Sequence, residues 1–354
     1  MAVYVDIEKK FRDFRLRVKF ESNVHTMGIL GASGCGKSMT LRCIAGIETP
    51  DRGRIVVNGR TLYDSERKIN LKPQERRIGY LFQNYALFPS MTVQENIACG
   101  YRGDRHEKAA RIQECIRRYQ LEGLERHYPS QLSGGQQQRA ALARMMIGAP
   151  EVILMDEPFS ALDGYLKDLL QRDLQKFLKE YQGDMILVTH SRDEAFRFCE
   201  QLTLMRDGEE LITGETNRLF EHPCFLEAAR LTGCKNYSAI QPLDRHTVFA
   251  LDWGIRLRTA EEVTREHTHV GIRGHWLQPC SQNGEKCLPV HVEEYMETTF
   301  EHQYLIRNAR DKDGTAVWWM RPKGSFEERG EQDVPSWLYL PPEHLMLLKT
   351  LSNA

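Results

Sequence analysis

A glycine-rich segment that follows a short apolar run is the feature that most restricts the fold of this chain. Residues 31–38 read GASGCGKS and match the pattern G-x-x-x-x-G-K-[ST]. Glycines let the backbone wrap around an anion with its N–H groups pointing inward, and the helix that follows presents the positive end of its dipole. The apolar residues 27–30 and the helix-compatible residues 39–45 therefore predict a strand, a phosphate-binding loop and a helix.

Two side chains of this segment have defined tasks in nucleotide binding. Lys37 would reach the β- and γ-phosphates, and the Ser38 hydroxyl would bind Mg²⁺. Cys35 has two interpretations: a small residue that fills the loop, or a thiol whose pKa is lowered by the surrounding N–H groups and Lys37. The predicted nucleotide-binding residues of the segment are Gly31, Ser33, Gly34, Gly36, Lys37, Ser38 and Met39.

An acidic pair at the end of a second apolar run is the next feature. Residues 152–155 are apolar, and Asp156 and Glu157 follow them. A buried strand would deliver both carboxylates to the C-terminal edge of an α/β sheet, where such sheets bind ligands. We expect Asp156 to hold Mg²⁺ through water and Glu157 to polarise the water that attacks the γ-phosphate. The alternative is an ordinary strand end with two solvated acids.

The segment LSGGQ at 132–136 separates classes of nucleotide-binding protein. By chance it is expected in fewer than ~1 in 1,000 chains of this length, and it stands directly before the helix-like residues 137–147. A serine and two glycines at a helix N-terminus make a second phosphate-binding cap. The chain resembles the ATP-binding-cassette (ABC) ATPases, whose signature is LSGGQ. The order and spacing of the motifs match that family from residue 1 to about 232.

The resemblance implies roles for three more residues. Gln83 resembles the lid glutamine that senses Mg²⁺ and the transport subunit, so it joins Ser38 and Asp156 as a predicted metal-site residue. Asp163 lies in a segment that resembles the dimer-contact loop. His190 resembles the switch histidine that contacts the γ-phosphate, although a histidine after a strand is also a common hydrogen-bonded structural residue.

The resemblance also implies a homodimer in which two subunits sandwich two ATP molecules head-to-tail. The signature residues of one subunit would cap the nucleotide that Lys37 of the other subunit holds. Those signature residues are Ser133, Gly134, Gly135 and Gln136. Hydrolysis, with Glu157, His190 and Gln83 as catalytic residues, would return the closed dimer to an open one.

Family members usually stack adenine on an aromatic residue shortly before the phosphate-binding loop. Residues 9–14 read KKFRDF, so Phe11 is the predicted stacking residue and Phe14 is a second candidate. The alternative is that both rings pack in the core, as aromatic residues in short amphipathic strands usually do.

The composition changes near residue 235 and predicts two domains. All five tryptophans lie beyond residue 252, where short β-prone runs such as 247–251, 290–292 and 316–320 replace the α/β pattern. We predict an α/β P-loop ABC ATPase domain, with a mixed sheet and a helical subdomain, at residues 1–232. The pattern predicts a small all-β domain at residues 236–354, and the resemblance to importer cassettes implies that it is an OB-like domain of the transport-associated type.

Charge, cysteine content and motifs disfavour several classes of function. The formal charge is −1, which argues against a nucleic-acid partner. The nine cysteines are scattered and form no C-x-x-C pair, which indicates reduced thiols rather than a zinc site. The cassette relatives that act on DNA or ribosomes usually carry a coiled-coil insertion, zinc-binding cysteine pairs or a second cassette, and none is evident. A P-loop kinase is disfavoured by LSGGQ.

The longest apolar runs have five residues, far fewer than the roughly 20 of a membrane-spanning helix. The family resemblance favours the energy-supplying subunit of an importer. We therefore expect the membrane-embedded permease of that importer to be a separate chain, and this chain to sit peripherally on the cytoplasmic face of the membrane. Residues 83–96 resemble the groove of importer cassettes that receives a helix of the permease; the alternative is a surface loop. An extracytoplasmic substrate-binding protein would act only indirectly.

The substrate is predicted from family pattern alone. Residues 64–80 look most like molybdate-importer ATPases, and sulfate, tungstate, polyamine and iron(III) cassettes share much of the segment. Residues 271–275 resemble a strand of the transport-associated tails. Arg273 and Lys235 are candidates for a pocket that binds a regulatory oxyanion. The equal alternative is a dimerisation module without a ligand.

Overall fold

The computed structural model describes residues 3–160, 164–280, 287–311, 313–324 and 335–351. The chain divides into two compact units, Met1–Thr216 and Asn217–Ala354. This division lies nearer the N-terminus than the predicted boundary between 232 and 236, and the predicted domain limits remain a prediction.

The first unit is built on an eleven-stranded mixed sheet. Its strands are β1 Val3–Lys10, β2 Arg15–Ser22, β3 Thr26–Gly31, β4 Arg52–Val57, β5 Arg60–Asp64, β6 Ile69–Asn70, β7 Ile78–Leu81, β8 Val152–Asp156, β9 Asp184–Thr189, β10 Gln201–Arg206 and β11 Glu209–Glu215. The spatial order is β6-β5-β4-β1-β2-β11-β10-β3-β9-β8-β7. Strands β10, β3, β9, β8 and β7 run parallel, whereas β6, β5, β4, β1 and β2 form antiparallel pairs.

The parallel half of the sheet positions the predicted motifs. Every residue of β8 and β9 is buried, as expected for strands covered on both faces. The apolar runs 28–30, 152–155 and 185–188 lie in β3, β8 and β9, so these strand predictions are confirmed. Parallel strands place their carboxyl ends at one edge of a sheet. The glycine-rich loop follows β3, the acidic pair ends β8, His190 follows β9 and Gln83 follows β7.

Within the described residues of the first unit lie six α-helices, and two of them carry the phosphate-binding motifs. They are α1 Lys37–Ala45, α2 Val93–Gly100, α3 Lys108–Arg118, α4 Gly134–Met146, α5 Gly164–Glu180 and α6 Arg192–Phe198. Helices α2, α3 and α4 share an apolar cluster of their own, which includes Ile97, Ile116 and Ala140. This cluster makes them a helical subdomain beside the sheet.

The C-terminal end of α1 is held by one buried arginine. Arg76 is 3% exposed and donates to the carbonyls of Cys43 at 2.8 Å and Ile44 at 2.7 Å. It also donates to the Leu71 carbonyl at 2.9 Å and to Asn70 Oδ1 at 3.0 Å. Burial lowers the pKa of Arg76 to about 10. A guanidinium at a helix C-terminus satisfies orphan carbonyls and opposes the negative end of the dipole.

The second unit is dominated by antiparallel strands. The helices α7 Thr216–Glu221 and α8 Leu226–Leu231 precede β12 Asn236–Asp244, β13 Thr247–Ala250, β14 Ile255–Arg258, β15 His269–Ile272, β16 Gln278–Cys280, β17 Cys287–Glu297, β18 Glu301–Asn308, β19 Val317–Pro322, β20 Trp337–Tyr339 and β21 Met346–Leu348. Two five-stranded sheets result, in the orders β14-β13-β12-β15-β21 and β16-β20-β17-β18-β19. These sheets confirm the predicted all-β architecture of the C-terminal region.

Helix α8 explains why the compact units divide before residue 232. Leu226 and Ala229 of α8 pack against Met346 and Leu348, within the second unit. Two of the five tryptophans, Trp253 and Trp319, are fully buried in the core that the two sheets share.

Candidate functional site

The glycine-rich loop has a backbone that only glycine adopts easily. Gly34 has a φ of +82° and Gly36 a φ of +102°. A Cβ on Gly36 would lie 2.7 Å from Leu16 Cδ1, and a Cβ on Gly31 would lie 2.5 Å from the Met205 carbonyl oxygen. Gly36 is the N-cap of α1 and has no side chain to occupy the helix's first amide groups. The N-terminus of α1 is therefore built to receive an anion.

The Lys37 side chain folds back over this loop. Its Nζ donates to the carbonyls of Gly31 at 3.0 Å and Ala32 at 2.8 Å, and it lies 3.7 Å from Glu157 Oε1. The side chain is only 4% exposed. Loop carbonyls and one carboxylate therefore surround a buried ammonium at the position where the sequence predicts phosphate binding.

Asp156 is held by two hydroxyl groups, one of which the sequence analysis did not assign. Ser38 Oγ, which is predicted with Asp156 to hold Mg²⁺, donates to Asp156 Oδ1 at 2.6 Å. Tyr80 OH donates to Asp156 Oδ2 at 2.9 Å. Burial and the neighbouring Asp156 raise the pKa of Tyr80 well above its usual range, so the phenol stays a donor. The sequence of β7, Ile78–Leu81, gives no sign of this contact.

The donor set of Ser38 and Asp156 fits a small hard cation. A hydroxyl and a carboxylate oxygen are ligands of the kind that Mg²⁺ takes alongside phosphate oxygens and water. Among the described residues, no group of three or more His, Cys, Asp or Glu side chains is placed to hold a metal ion. A site with one protein carboxylate therefore suits Mg²⁺ bound together with a nucleotide better than a permanently bound transition metal.

Glu157 is the point where the predicted catalytic residues meet. His190 Nδ1 lies 3.1 Å from Glu157 Oε2. Gln83 Nε2 lies 3.5 Å from the same oxygen and donates to Ser160 Oγ at 3.1 Å. The structure thus brings Glu157, His190, Gln83 and Lys37 together, although they come from four different strand ends.

The backbone at Glu157 is unusual for a residue with a side chain. Its φ is +46°, and its N–H donates to the Val188 carbonyl at 2.9 Å. Non-glycine residues in this region carry a conformational cost of about 1–3 kcal/mol and cluster at functional sites. The bond to the neighbouring strand β9 holds the carboxylate at the end of β8.

The signature residues form the N-terminus of α4. Ser133 is the N-cap: its Oγ accepts from the Gln136 N–H at 3.4 Å, and its own N–H donates to Gln136 Oε1 at 2.9 Å. Gly134 begins the helix and Gly135 is buried. In the described part of the chain, no hydrogen bond joins these residues to the glycine-rich loop of the same subunit. They lie on the helical subdomain.

The remaining candidates near the loop have mixed outcomes. Phe11 and Phe14 are both partly buried against the core, with ring centroids 6.0 Å apart, so the choice between them stays open. Met39 packs against the same core. Asp163 lies outside the described residues. Burial raises the pKa of the Cys35 thiol despite the nearby ammonium, which favours its interpretation as a small residue that fills the loop.

The segment 83–96 is held in place by two side chains that the sequence analysis did not assign. Asn96 is fully buried and its amide donates to the carbonyls of Phe88 at 3.2 Å and Met91 at 3.0 Å. Arg144 donates to the carbonyls of Tyr85 at 2.9 Å and Ala86 at 2.7 Å. Phe88 stays 46% exposed on this frame. The segment therefore presents apolar surface from a fixed backbone.

Arg273 of the second unit is committed to the protein itself. It donates to the Thr232 carbonyl at 2.8 Å, to Thr232 Oγ1 at 3.2 Å and to the Phe220 carbonyl. These contacts argue against its predicted use in an oxyanion pocket. Lys235 remains exposed and lies 4.6 Å above the Trp318 ring. Within the described residues, no helix has the length and apolar character needed to cross a bilayer.

Comparison with known sequences agrees with this geometry. Residues 16–160 match the model of the ABC transporter family. The sulfate/thiosulfate import ATP-binding protein CysA of Synechococcus elongatus is 40% identical over 307 residues, which cover 85% of this chain and 84% of that protein.

Two other import proteins match over a smaller share of the chain. The spermidine/putrescine import ATP-binding protein PotA of Oleidesulfovibrio alaskensis is 37% identical, and the match covers 60% of this chain. The Fe(3+) ions import ATP-binding protein FbpC of Haemophilus influenzae is 38% identical, over 62% of this chain. The chain spans less than two thirds of the length of these relatives, 56% and 63% respectively.

Solved structures give the same result. The cassette MJ0796, solved as a dimer in a post-hydrolysis state with ADP and Pi, has a TM-score of 0.51 and 30% identity, covering 61% of this chain and 99% of its own. The cbiO1 protein of Clostridium perfringens, part of the complex cbiONQ, has a TM-score of 0.54 and 25% identity, covering 64% and 92%. The chain therefore belongs to the ABC transporter family, among its import ATP-binding proteins, and carries the family's ATP-hydrolysing domain.

Proposed function

We propose that this chain powers an oxyanion importer by hydrolysing ATP, with molybdate as the first candidate substrate. The observation that carries the ATPase part is the set of contacts around one carboxylate. Glu157 lies within 3.1 Å of His190, 3.5 Å of Gln83 and 3.7 Å of Lys37. In phosphoryl transfer the protein mainly positions the nucleophile and stabilises charge, and these residues supply a base and positive charge at one point.

Each residue has a separate task in this proposal. Glu157 orients the attacking water and accepts its proton, and His190 contacts the γ-phosphate from the next strand. Lys37 exchanges its loop carbonyls for the β- and γ-phosphate oxygens. Ser38 and Asp156 would hold Mg²⁺, with Gln83 completing the site. When bound, the ion supplies charge neutralisation at the phosphates.

The proposed working unit is a homodimer. Ser133 and Gly135 would cap the nucleotide bound to Lys37 of the other subunit, because a serine hydroxyl and glycine N–H groups at a helix N-terminus suit an anion. The dimeric state reported for the cassette MJ0796 supports this arrangement. Asp163 would contact the other subunit, as the family resemblance implies.

The proposed membrane partner is a separate permease. The fixed segment 83–96, with Phe88 exposed, suits the docking of a partner helix. The cbiO1 protein is described as part of a transporter complex, which supports a multi-subunit assembly. In this assembly the chain sits peripherally on the cytoplasmic face of the membrane, and an extracytoplasmic substrate-binding protein acts through the permease.

A glutamine substitution tests the ATPase proposal. Glu157→Gln keeps the shape of the side chain and removes the base, so we expect ATP hydrolysis to fall by about 10²–10⁴-fold while ATP still drives dimer formation. Lys37→Ala should weaken both nucleotide binding and turnover. Glu151→Gln is the matched control, because Glu151 is exposed and pairs with Arg77 at 2.7 Å. Hydrolysis by Glu157→Gln at the parent rate would refute the assignment of the base.

Calorimetric titration tests the substrate proposal. The full chain is titrated with molybdate, tungstate and sulfate, with and without ATP. Selective heat for molybdate or tungstate supports the oxyanion class and a regulatory site in the second unit. Silence for all three argues against that regulatory site. Transport of labelled molybdate by vesicles that contain the permease then decides between the oxyanion class and the polyamine and iron(III) substrates named for the relatives.

A further inference from the structure

A buried carboxylate that the proposed mechanism does not use lies close in sequence to His190. Glu194 of α6 is 4% exposed. Its Oε2 accepts from Thr189 Oγ1 at 2.5 Å, and its Oε1 lies 2.6 Å from Lys167 Nζ. Burying a carboxylate costs several kcal/mol unless partners of this kind compensate it. The two contacts therefore explain why Glu194 is tolerated in the interior.

The same network fixes the backbone on both sides of His190. Thr189 precedes it, and Thr189 Oγ1 also accepts from the Ser191 N–H at 2.9 Å. Ser191 follows it and caps α6, with its Oγ accepting from the Glu194 N–H at 3.4 Å. The His190 side chain itself is 52% exposed. Its orientation towards Glu157 therefore depends on the backbone that carries it rather than on packing around the ring.

The other end of the network is α5. Lys167 and Gln171 are four residues apart on α5, and Glu194 and Arg197 are three apart on α6, so each pair shares one helix face. Arg197 donates to Gln171 Oε1 at 2.5 Å, which adds a second polar contact beside the Lys167–Glu194 pair. Helix α5 begins at Gly164, directly after the segment predicted to contact the partner subunit.

We propose that Glu194 is a positioning residue for His190, with Lys167 as the counter-ion that anchors it to α5. The inference rests on the proposed function, in which His190 contacts the γ-phosphate. The Lys167–Glu194 pair thereby connects α5, the helix that follows the predicted dimer-contact segment, to His190, the residue that would contact the nucleotide. Loss of the Glu194 charge releases Lys167 and weakens the hold on Thr189, so the His190 ring shifts relative to Glu157.

The kinetic test uses the full chain. Glu194→Gln should lower kcat for ATP hydrolysis about tenfold or more, the range found when partners that orient a functional residue are removed. The affinity for a fluorescent ATP analogue should stay within about twofold, because the glycine-rich loop is untouched. In a His190→Ala background the same substitution should add nothing further, since a group that acts through His190 has nothing left to position.

Matched variants separate positioning from general destabilisation. Lys167→Gln should reproduce the loss of kcat, and Lys167→Arg should retain activity. Arg118→Gln is the control, because Arg118 of α3 pairs with Glu180 of α5 at 3.0 Å and makes no contact with the network. A parent-like kcat in Glu194→Gln, or an additional loss in the His190→Ala background, would overturn the proposal.

A spectroscopic measurement tests the positioning role of Glu194 independently of ATP hydrolysis. In protein labelled with ¹⁵N-histidine, the ring resonances of His190, assigned with His190→Ala, should move in Glu194→Gln and stay in place in Arg118→Gln. This measurement needs no nucleotide. If the parent fails to hydrolyse ATP but the His190 resonances move as expected, the proposed function fails and the positioning role stands. Unmoved resonances would refute the positioning role whatever the ATPase result.

Discussion

Replacing Arg76 is the strongest test of how the helix that carries Lys37 is held in place. Arg76→Met keeps most of the apolar stem and removes the guanidinium, which makes four hydrogen bonds. Two of the acceptors, the carbonyls of Cys43 and Ile44, belong to the last turn of α1. The Cys43 carbonyl would keep the bond from the Gly46 N–H at 3.2 Å, whereas the Ile44 carbonyl would lose its guanidinium donor.

The expected magnitude follows from these contacts. Hydrogen bonds to a charged group contribute about 1.5–3 kcal/mol each, and they do not add fully when they share one donor. Arg76→Met also removes the free-energy cost of burying a charged guanidinium, which offsets part of the lost hydrogen bonding. We therefore expect the free energy of unfolding to fall by about 3 kcal/mol. For a unit of this size each kcal/mol lowers Tm by roughly 2–4 °C, which gives a drop of roughly 6–12 °C.

Calorimetry on the nucleotide-free chain measures this drop. Arg60→Met is the matched control, because Arg60 is exposed and donates to the Glu75 carbonyl at 2.8 Å. Its Tm should change by no more than about 2 °C, since exposed substitutions of this kind usually change stability by no more than about 0.5 kcal/mol. A Tm for Arg76→Met within that range, or an equal drop in both variants, would show that Arg76 does not anchor the end of α1.

Three further predictions use other parts of the structure. Tyr80→Phe removes the 2.9 Å hydrogen bond to Asp156, so the free energy of unfolding should fall by about 1.5–3 kcal/mol; no loss in a denaturant titration would contradict this role. Maleimide at pH 8 should label the exposed Cys99 and leave Cys35 unmodified, because burial raises the pKa of the Cys35 thiol; mass spectrometry of peptides from briefly treated protein decides the order. Burial lowers the pKa of His269 below 6.5, so the unfolded chain binds more protons below that pH and stability should fall as the pH drops from 7 to 5.5. His269→Gln should reduce this fall in Tm, and an unchanged pH dependence would refute the contribution.

Local sequence was sufficient to predict those parts of the site that directly follow the ends of strands. The apolar runs before Asp156 and His190 predicted two strands, and parallel strands necessarily gather their carboxyl ends at one edge. The glycine pattern predicted the loop for the same reason, since its backbone needs φ values that other residues avoid. In these cases the information lies within a few residues of the motif.

The contacts that sequence reasoning missed join residues far apart in the chain. Tyr80 meets Asp156, and Arg76 meets the end of α1, only after the sheet has formed. An arginine in a charged run such as ERRIG is ordinarily a solvated residue, and nothing local indicates that Arg76 is the buried member and Arg77 the exposed one. Helix α8 is a similar case, because it packs in the second unit against residues near the C-terminus.

The self-contained hydrogen bonding of Lys37 has a consequence for how nucleotide binding should be measured. Before any ligand arrives, the ammonium already has two carbonyl acceptors within its own loop. Phosphate entry is therefore a substitution of one set of acceptors for another, and the net gain is the difference between them. A small heat of binding would then be compatible with correct engagement of the lysine. The loop carbonyls therefore compete with the phosphate for the hydrogen bonds of Lys37 Nζ. They accept those hydrogen bonds again each time product leaves.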